Sequence, residues 1–219
     1  FRIYLRLNKK VMHYGDFYIK NSISFSEFLV TISQPSNVLN KITIVEGWSQ
    51  KDLNNELSKY FEVFTPINYT DILADTYYFN KFDEFEIFLS KLKNFKSNYL
   101  KNKRQSIQNK YSDHEIMIIG SLIEKEGIDL IDKQKISSVI NNRLNIKMKL
   151  QIDASVIYSI TDGEYDIDRN LTYNDLKIDH PYNTYKINGL PPKPISYVGT
   201  KTIDIILENY KSDYFYYFY

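Results

Sequence analysis

The chain has 219 residues, with 28 Lys and Arg against 27 Asp and Glu, so its formal net charge is +1. This length suits one large domain or two small ones and allows a substantial buried core. Hydrophobic residues make up 43% of the chain and aromatic residues 16%, which excludes intrinsic disorder as the main state. A charge near zero makes nucleic acid a poor candidate partner. The absence of cysteine excludes thiolate metal sites, disulfides and cysteine nucleophiles.

The first part of the chain mixes predicted strands and helices. Alternating apolar residues predict strands over residues 1–7, 17–19 and 41–45, with a turn at 14–16. Apolar spacing predicts helices that begin at Ser24 and near Ser49. These elements predict a small N-terminal α/β subdomain over residues 1–80. After it, from Phe82 to about Asn109, apolar residues on one side predict a long amphipathic helix.

The second part, residues 81–219, is predicted to be a mainly helical domain with short strands, so the fold class is α+β. Ser112 and Glu115 have the spacing of a capping box, and Gly127 is expected to end the same helix as a left-handed C-terminal cap. The remaining pattern predicts helices over 132–144, 154–160 (capped by Asp153) and 199–209, strands over 148–152 and 214–219, and an irregular segment over 182–194.

Glu124 lies in the last turn of the apolar helix, where the helix dipole and apolar neighbours disfavour ionisation. Its pKa is therefore expected to be raised, as a general acid requires. One turn back, Gly120 and Ser121 are small, so a ligand groove could open above the carboxylate. Glu126 points about 200° away from Glu124, so at most one of the two is the acid. Alternatively, both are ordinary exposed residues that flank Lys125.

Seven short motifs occur in order along the chain: Ile42–Trp48 (ITIVEGW), Asp75–Tyr77 (DTY), Ile123–Glu126 (IEKE), Val139–Leu144 (VINNRL), Leu150–Tyr158 (LQIDASVIY), Tyr182–Tyr185 (YNTY) and Gly189–Ile195 (GLPPKPI). This ordered set resembles the endolytic murein transglycosylases, the MltG or YceG-like family. The chain departs from the family pattern at Val45, where the family has proline, at Ile152–Ala154, where it has SDP, and at Gly127, where threonine is usual.

The resemblance implies that Glu124 is the catalytic acid of a lytic transglycosylase. Such an enzyme cleaves the β-1,4 bond between N-acetylmuramic acid (MurNAc) and N-acetylglucosamine (GlcNAc) in peptidoglycan and leaves 1,6-anhydro-MurNAc ends, which terminates nascent glycan strands. The 6-hydroxyl of the substrate is the nucleophile, so no second carboxylate is needed to activate water. The resemblance implies no cofactor and no metal.

The resemblance also implies a LysM-like N-terminal subdomain over 1–80 and a catalytic domain over 81–219. Family members act at the extracytoplasmic face of the bacterial cytoplasmic membrane, to which an N-terminal helix anchors them. That helix would lie upstream of Phe1. The partners implied are peptidoglycan glycan strands and cell-wall synthases such as penicillin-binding proteins.

Neutral amides and tyrosines near the matched motifs are candidate substrate-binding residues, because amides bind N-acetyl groups and tyrosine rings stack on sugars. These candidates are Gln151, Asn183, Tyr182 and Tyr185. The alternative is that Asn183 holds a turn and that the tyrosines are ordinary packing residues. Supporting roles are expected for Glu126, Asn142, Arg143 and Asp153. Asn142 and Arg143 either fix the loop behind Glu124 or touch substrate.

Two further functions stay open at this point. The departures near Asp153 and Gly127 are compatible with a catalytically weak or inactive peptidoglycan-binding scaffold of the same fold. An ordinary hydrolase is the third possibility, with Asp153 as the second carboxylate that activates water.

Overall fold

The computed structural model describes residues 11–107 and 110–217. Its elements are α1 (Phe25–Thr31), β1 (Asn40–Thr43), α2 (Gln50–Leu57), β2 (Thr76–Phe79), α3 (Phe85–Ser106), α4 (Asp113–Glu126), α5 (Leu130–Asn145), α6 (Asp153–Thr161), a 3-10 helix at Asp175–Lys177, and α7 (Thr200–Glu208). The predicted fold class, α+β with mainly helices and short strands, is confirmed.

The first half of the chain forms a core around a two-stranded sheet. β1 and β2 pair antiparallel, with Ile42 opposite Tyr77. α2 begins with a capping box in which Ser49 and Asp52 bond each other's backbone N–H, so its first turn has no orphaned donors at these two positions. The buried core around this sheet includes Ile42, Leu53, Leu57, Phe79 and Phe88, and Tyr197 from the second half of the chain also packs in it.

The second half packs three helices around α4. Residues 116–123 of α4 are all buried, and this helix contacts α5, α6 and α7. Its start is the predicted capping box of Ser112 and Glu115, which is confirmed. α3 joins the two halves, because Phe88 and Leu92 pack in the first core and Leu100 packs in the second. The buried α4 therefore fixes the position of its last turn, which carries Glu124.

The division of the chain at residue 80, with a LysM-like first part, stays a prediction. Within the described ranges, no helix is both long enough and apolar enough to cross a membrane.

Several predicted strands are absent from the described residues. The strand over 1–7 lies outside the described residues. Residues 17–19 form no strand, because the Tyr18 N–H bonds the side-chain oxygen of Asn37 at 2.7 Å instead of a neighbouring strand. Residues 148–152 also form no strand: Gln151 is left-handed, with φ of 51°, which breaks an extended run. The described part of the aromatic terminus, 214–217, is irregular as well.

Two helix caps differ from the prediction. Gly127 has φ of −90° and ψ of 128°, so the chain leaves α4 in an extended and not a left-handed conformation. Asp153 is the first residue of α6 and not its cap, and the cap residue Ile152 has no side-chain acceptor to offer. The predicted helices themselves are confirmed within a few residues at each end.

Candidate active site

The Glu124 side chain is held by two donors in a nearly closed environment. It is 1% exposed and forms an ion pair with Lys133 of α5, whose own side chain is 14% exposed. The backbone N–H of Gly199 donates to the other carboxylate oxygen, Oε1, at 3.0 Å. Gly199 is the N-cap residue of α7, so the positive end of that helix dipole also faces the carboxylate.

The ligand groove expected above Gly120 and Ser121 is filled by the protein itself, so that expectation is wrong. A Cβ atom at Gly120 would lie 2.5 Å from Cγ1 of Val198. The fully buried Ser121 hydroxyl accepts from the N–H of Ile195 at 3.0 Å, and the Ser121 carbonyl accepts from the Ser196 hydroxyl at 3.1 Å. The small residues of α4 therefore let the segment 195–199 approach closely.

The turn at Glu46 and Gly47 closes the site from the N-terminal half. Gly47 has φ of +80°, and a Cβ atom there would lie 3.4 Å from the Glu124 carbonyl oxygen. The Gly47 N–H donates to the Tyr197 carbonyl at 2.9 Å. A Cβ atom at Gly199 would lie 2.4 Å from Cγ of the exposed Glu46, so this side chain lies directly over the backbone that bonds Glu124.

A second group of polar residues lies at the start of α6. The carboxylate of Glu126 accepts from the Ala154 N–H at 3.3 Å, and so supplies the acceptor that Ile152 lacks as a cap. The Tyr185 hydroxyl donates to Asp153 at 2.6 Å. Burial and this bond to Asp153 raise the pKa of Tyr185. Three predicted site residues, Glu126, Asp153 and Tyr185, are thus brought together, separately from the ion pair of Glu124.

The other three candidate substrate-binding residues have different environments. The Gln151 side chain is exposed, and its backbone N–H bonds the Thr184 carbonyl at 3.2 Å. The partly exposed Tyr182 ring packs on Tyr158, with 4.7 Å between ring centres. Asn183 is fully buried; its Nδ2 donates to two backbone carbonyls of residues 176 and 178, and its Oδ1 accepts from the Tyr185 N–H. This environment favours the alternative in which Asn183 holds a turn.

Asn142 and Arg143 hold the C-terminal segment. The Asn142 amide donates to the carbonyls of Ser212 and Tyr214, at 2.7 and 2.8 Å. Arg143 is 5% exposed, and its Nε donates to the Phe215 carbonyl at 2.7 Å. These bonds occupy both side chains with backbone groups of residues 212–215, and the supporting role expected for them stays a prediction.

Two openings flank the turn that follows Glu124. One pocket of about 120 Å³ lies between α2, α6 and the loop at 163–166, and Lys125 is part of its wall. A wider groove of about 520 Å³ runs along α5, where Ile128, Tyr214 and Tyr216 contribute apolar surface. Glu124 itself lines neither opening.

The sequence analysis missed the partners of Glu124. Lys133 is nine residues away on the next helix, and Gly199 is 75 residues away. The available signals were the predicted helix start at Gly199, which supplies a free N–H to an anion, and the lysine in the first turn of α5. Among the described residues, no three His, Asp or Glu side chains are grouped in a way that could hold a metal ion.

Comparison with known proteins places the chain in a family. The YceG-like family matches residues 1–219. A protein of Bacillus subtilis (strain 168) named endolytic murein transglycosylase is 44% identical over 115 residues, which cover 52% of this chain and 31% of the relative. A protein of the same name from Streptococcus pneumoniae serotype 2 is 36% identical over 107 residues, 48% of this chain and 19% of the relative.

A crystal structure of a yceG-like protein from Listeria monocytogenes has the same fold. It matches with a TM-score of 0.68 and 24% identity, over 99% of this chain and 83% of that chain. The chain spans less than a third of the length of the two curated relatives it matches. The family match over the whole chain confirms the resemblance of the motifs, and the chain belongs to the YceG-like family.

Proposed function

We propose that the chain is the catalytic part of a lytic transglycosylase that cuts peptidoglycan strands between MurNAc and GlcNAc and terminates nascent strands with 1,6-anhydro ends. The observation that carries this proposal is the 44% identity to a relative named endolytic murein transglycosylase. The chain covers 31% of that relative, so the activity comes to this chain by inference.

Glu124 is the proposed acid. In its neutral form it protonates the bridging glycosidic oxygen as the bond from C1 of MurNAc to that oxygen breaks, through an oxocarbenium-like state. The ionised Glu124 then takes the proton of the MurNAc 6-hydroxyl as O6 bonds to C1. One bond breaks, one forms, Glu124 regains its proton, and no water is consumed. The carboxylates of Asp153 and Glu126 are engaged by Tyr185 and by the start of α6, which argues against the hydrolase alternative.

A glycan reaches Glu124 only if its cover moves. Lys133, which bonds Glu124, and Glu46, which lies over Gly199, are long side chains and at least partly exposed, so they can move without unfolding the core. The pocket beside Lys125 and the groove along α5 then provide the nearest space for sugar rings.

We assign the exposed Gln151 and the partly exposed Tyr182 and Tyr185 to substrate binding, with Asn183 supporting their loop. In the same proposal, the enzyme acts on the extracytoplasmic face of the cytoplasmic membrane, held by a segment outside this chain. Cell-wall synthases are its proposed protein partners.

One observation favours a second candidate function, a glycan-binding scaffold with weak or no activity. The side chain of Glu124 is 1% exposed and paired with Lys133, which is a stable resting arrangement for a residue without a catalytic role. The departures at Gly127 and Ile152–Ala154 are compatible with this alternative.

The test is product analysis with the purified chain on isolated peptidoglycan sacculi. We expect anhydro-muropeptides by mass spectrometry with the unchanged chain and with Glu208→Gln, an exposed matched control. We expect none with Glu124→Gln, checked for folding by circular dichroism. Anhydro products from Glu124→Gln would overturn the role of Glu124, and binding to sacculi without product from any variant would favour the scaffold.

A further inference from the structure

We infer that Lys133 is a positioning residue for the candidate acid: its ammonium fixes one oxygen of the Glu124 side chain and is the principal counter-charge of that group. The ammonium of Lys133 bonds Oε2 of Glu124, while the Gly199 N–H bonds Oε1, so each oxygen is held by a different donor. This inference rests on the proposed function only where it concerns activity. The ion pair itself can be tested without any activity.

Lys133 can reach Glu124 because Gly127 has no side chain. A Cβ atom at Gly127 would lie 3.3 Å from Cα of Lys133 and 2.5 Å from its Cγ, and the second distance is closer than non-bonded carbons approach. The stem of Lys133 therefore crosses the α4 to α5 turn directly over Gly127 on its way to Glu124. This explains why glycine stands here without a left-handed conformation, since its φ is −90°.

The charges around Glu124 make Lys133 its principal counter-ion. From α4, Lys125 extends towards the Gly47 carbonyl, with 3.4 Å between Nζ and the oxygen, and Glu126 turns away to the start of α6. From the N-terminal half, Glu46 lies against Gly199 and contributes negative charge. From α7, Gly199 donates a neutral N–H. Loss of the Lys133 charge would therefore leave the Glu124 side chain buried without its counter-ion and with the negative charge of Glu46 nearby. Both conditions favour protonation of a carboxylate.

The consequence for the proposed reaction concerns pH. A general acid works only while it is protonated, so activity falls as pH rises through the titration of that acid. Removing a cation within about 4–6 Å shifts a carboxyl titration upward by about one pH unit or more. Without Lys133, the alkaline limb of the activity profile should therefore move to higher pH.

The experiment compares the side-chain carboxyl titration of Glu124 by carbon-13 NMR in protein labelled at glutamate. The resonance is assigned by its loss in Glu124→Gln. The variants are Lys133→Met, which keeps the stem without the charge; Lys133→Arg, which keeps the charge; and Gly127→Ala, which obstructs the stem and keeps both charged groups. Lys135→Met is the matched control, because Lys135 is exposed and lies about 200° around the same helix.

We expect the Glu124 titration midpoint to rise by about one pH unit or more in Lys133→Met, and to rise in Gly127→Ala. We expect it to stay within about 0.3 units in Lys135→Met and to be largely restored in Lys133→Arg. An unchanged midpoint in folded Lys133→Met overturns the inference. If the midpoint moves as expected but the unchanged chain yields no product at any pH, the proposed function fails and the role of Lys133 stands.

Discussion

Replacing Gly120 with alanine tests how tightly the segment before α7 is packed against α4. The new Cβ would lie 2.5 Å from Cγ1, 3.2 Å from Cγ2 and 3.4 Å from Cβ of Val198, and both residues are buried. Overpacking of this kind costs about 1–3 kcal/mol, and the better helix propensity of alanine returns about 1 kcal/mol. We therefore expect Gly120→Ala to lower the free energy of unfolding by about 1 kcal/mol.

The decisive comparison is the same substitution in a Val198→Ala background. Val198→Ala removes both methyl groups that obstruct the new Cβ and by itself costs about 2 kcal/mol. In that background Gly120→Ala should stabilise by up to about 1 kcal/mol, so the effect changes sign. Urea unfolding followed by circular dichroism measures all four proteins. Equal effects of Gly120→Ala in the two backgrounds would refute the packing argument.

Two further substitutions test polar contacts. Ser155→Ala should destabilise by about 1–3 kcal/mol in urea unfolding, because the buried Ser155 hydroxyl accepts from the Thr184 N–H. The control Ser159→Ala should change stability by less than about 0.5 kcal/mol, and equal effects would contradict this reasoning. The bidentate bond to the Arg169 guanidinium holds the pKa of Asp175 well below its usual range. Its stabilisation is therefore present above about pH 4 and lost as pH falls further, so the stability difference between the unchanged chain and Asp175→Asn should shrink in acid. A difference that stays constant or grows below pH 4 would contradict it.

Local patterns predicted the helices well because their causes are local. The capping box of Ser112 and Glu115 and the apolar run behind it define α4 within a few residues of sequence. The pairing of β1 with β2 depends on contacts between residues more than 30 positions apart, such as Ile42 and Tyr77. No periodicity encodes such a pairing, so the sequence identified one strand without its partner.

The alternation around Leu150 predicted a strand for the wrong reason. Leu150 and Ile152 are each 1% exposed while Gln151 between them is exposed, so the alternating burial is real. It arises in a loop, where left-handed Gln151 turns the chain and the Thr184 carbonyl accepts its N–H. Periodicity reports which side chains are buried and does not report the backbone conformation that buries them.

The candidate site was predictable only in part. The position of Glu124 follows from the helix that carries it, which is a local property. Its partners Lys133 and Gly199 come from two other helices, and they meet it only after α5 and α7 have packed on α4. Because Gly120 is small, the sequence predicted space for a ligand beside it. In the structure the side chain of Val198 packs into that space.

Digestion in water labelled with heavy oxygen shows whether the substrate's own hydroxyl or water attacks C1 of MurNAc. The purified chain is incubated with unlabelled glycan strands, and the newly formed ends are analysed by mass spectrometry. Ring closure by the substrate's own 6-hydroxyl predicts MurNAc ends that are lighter by one water than hydrolysed ends and contain no label. New ends that contain heavy oxygen would contradict the proposed ring closure, because water and not the substrate would then be the nucleophile.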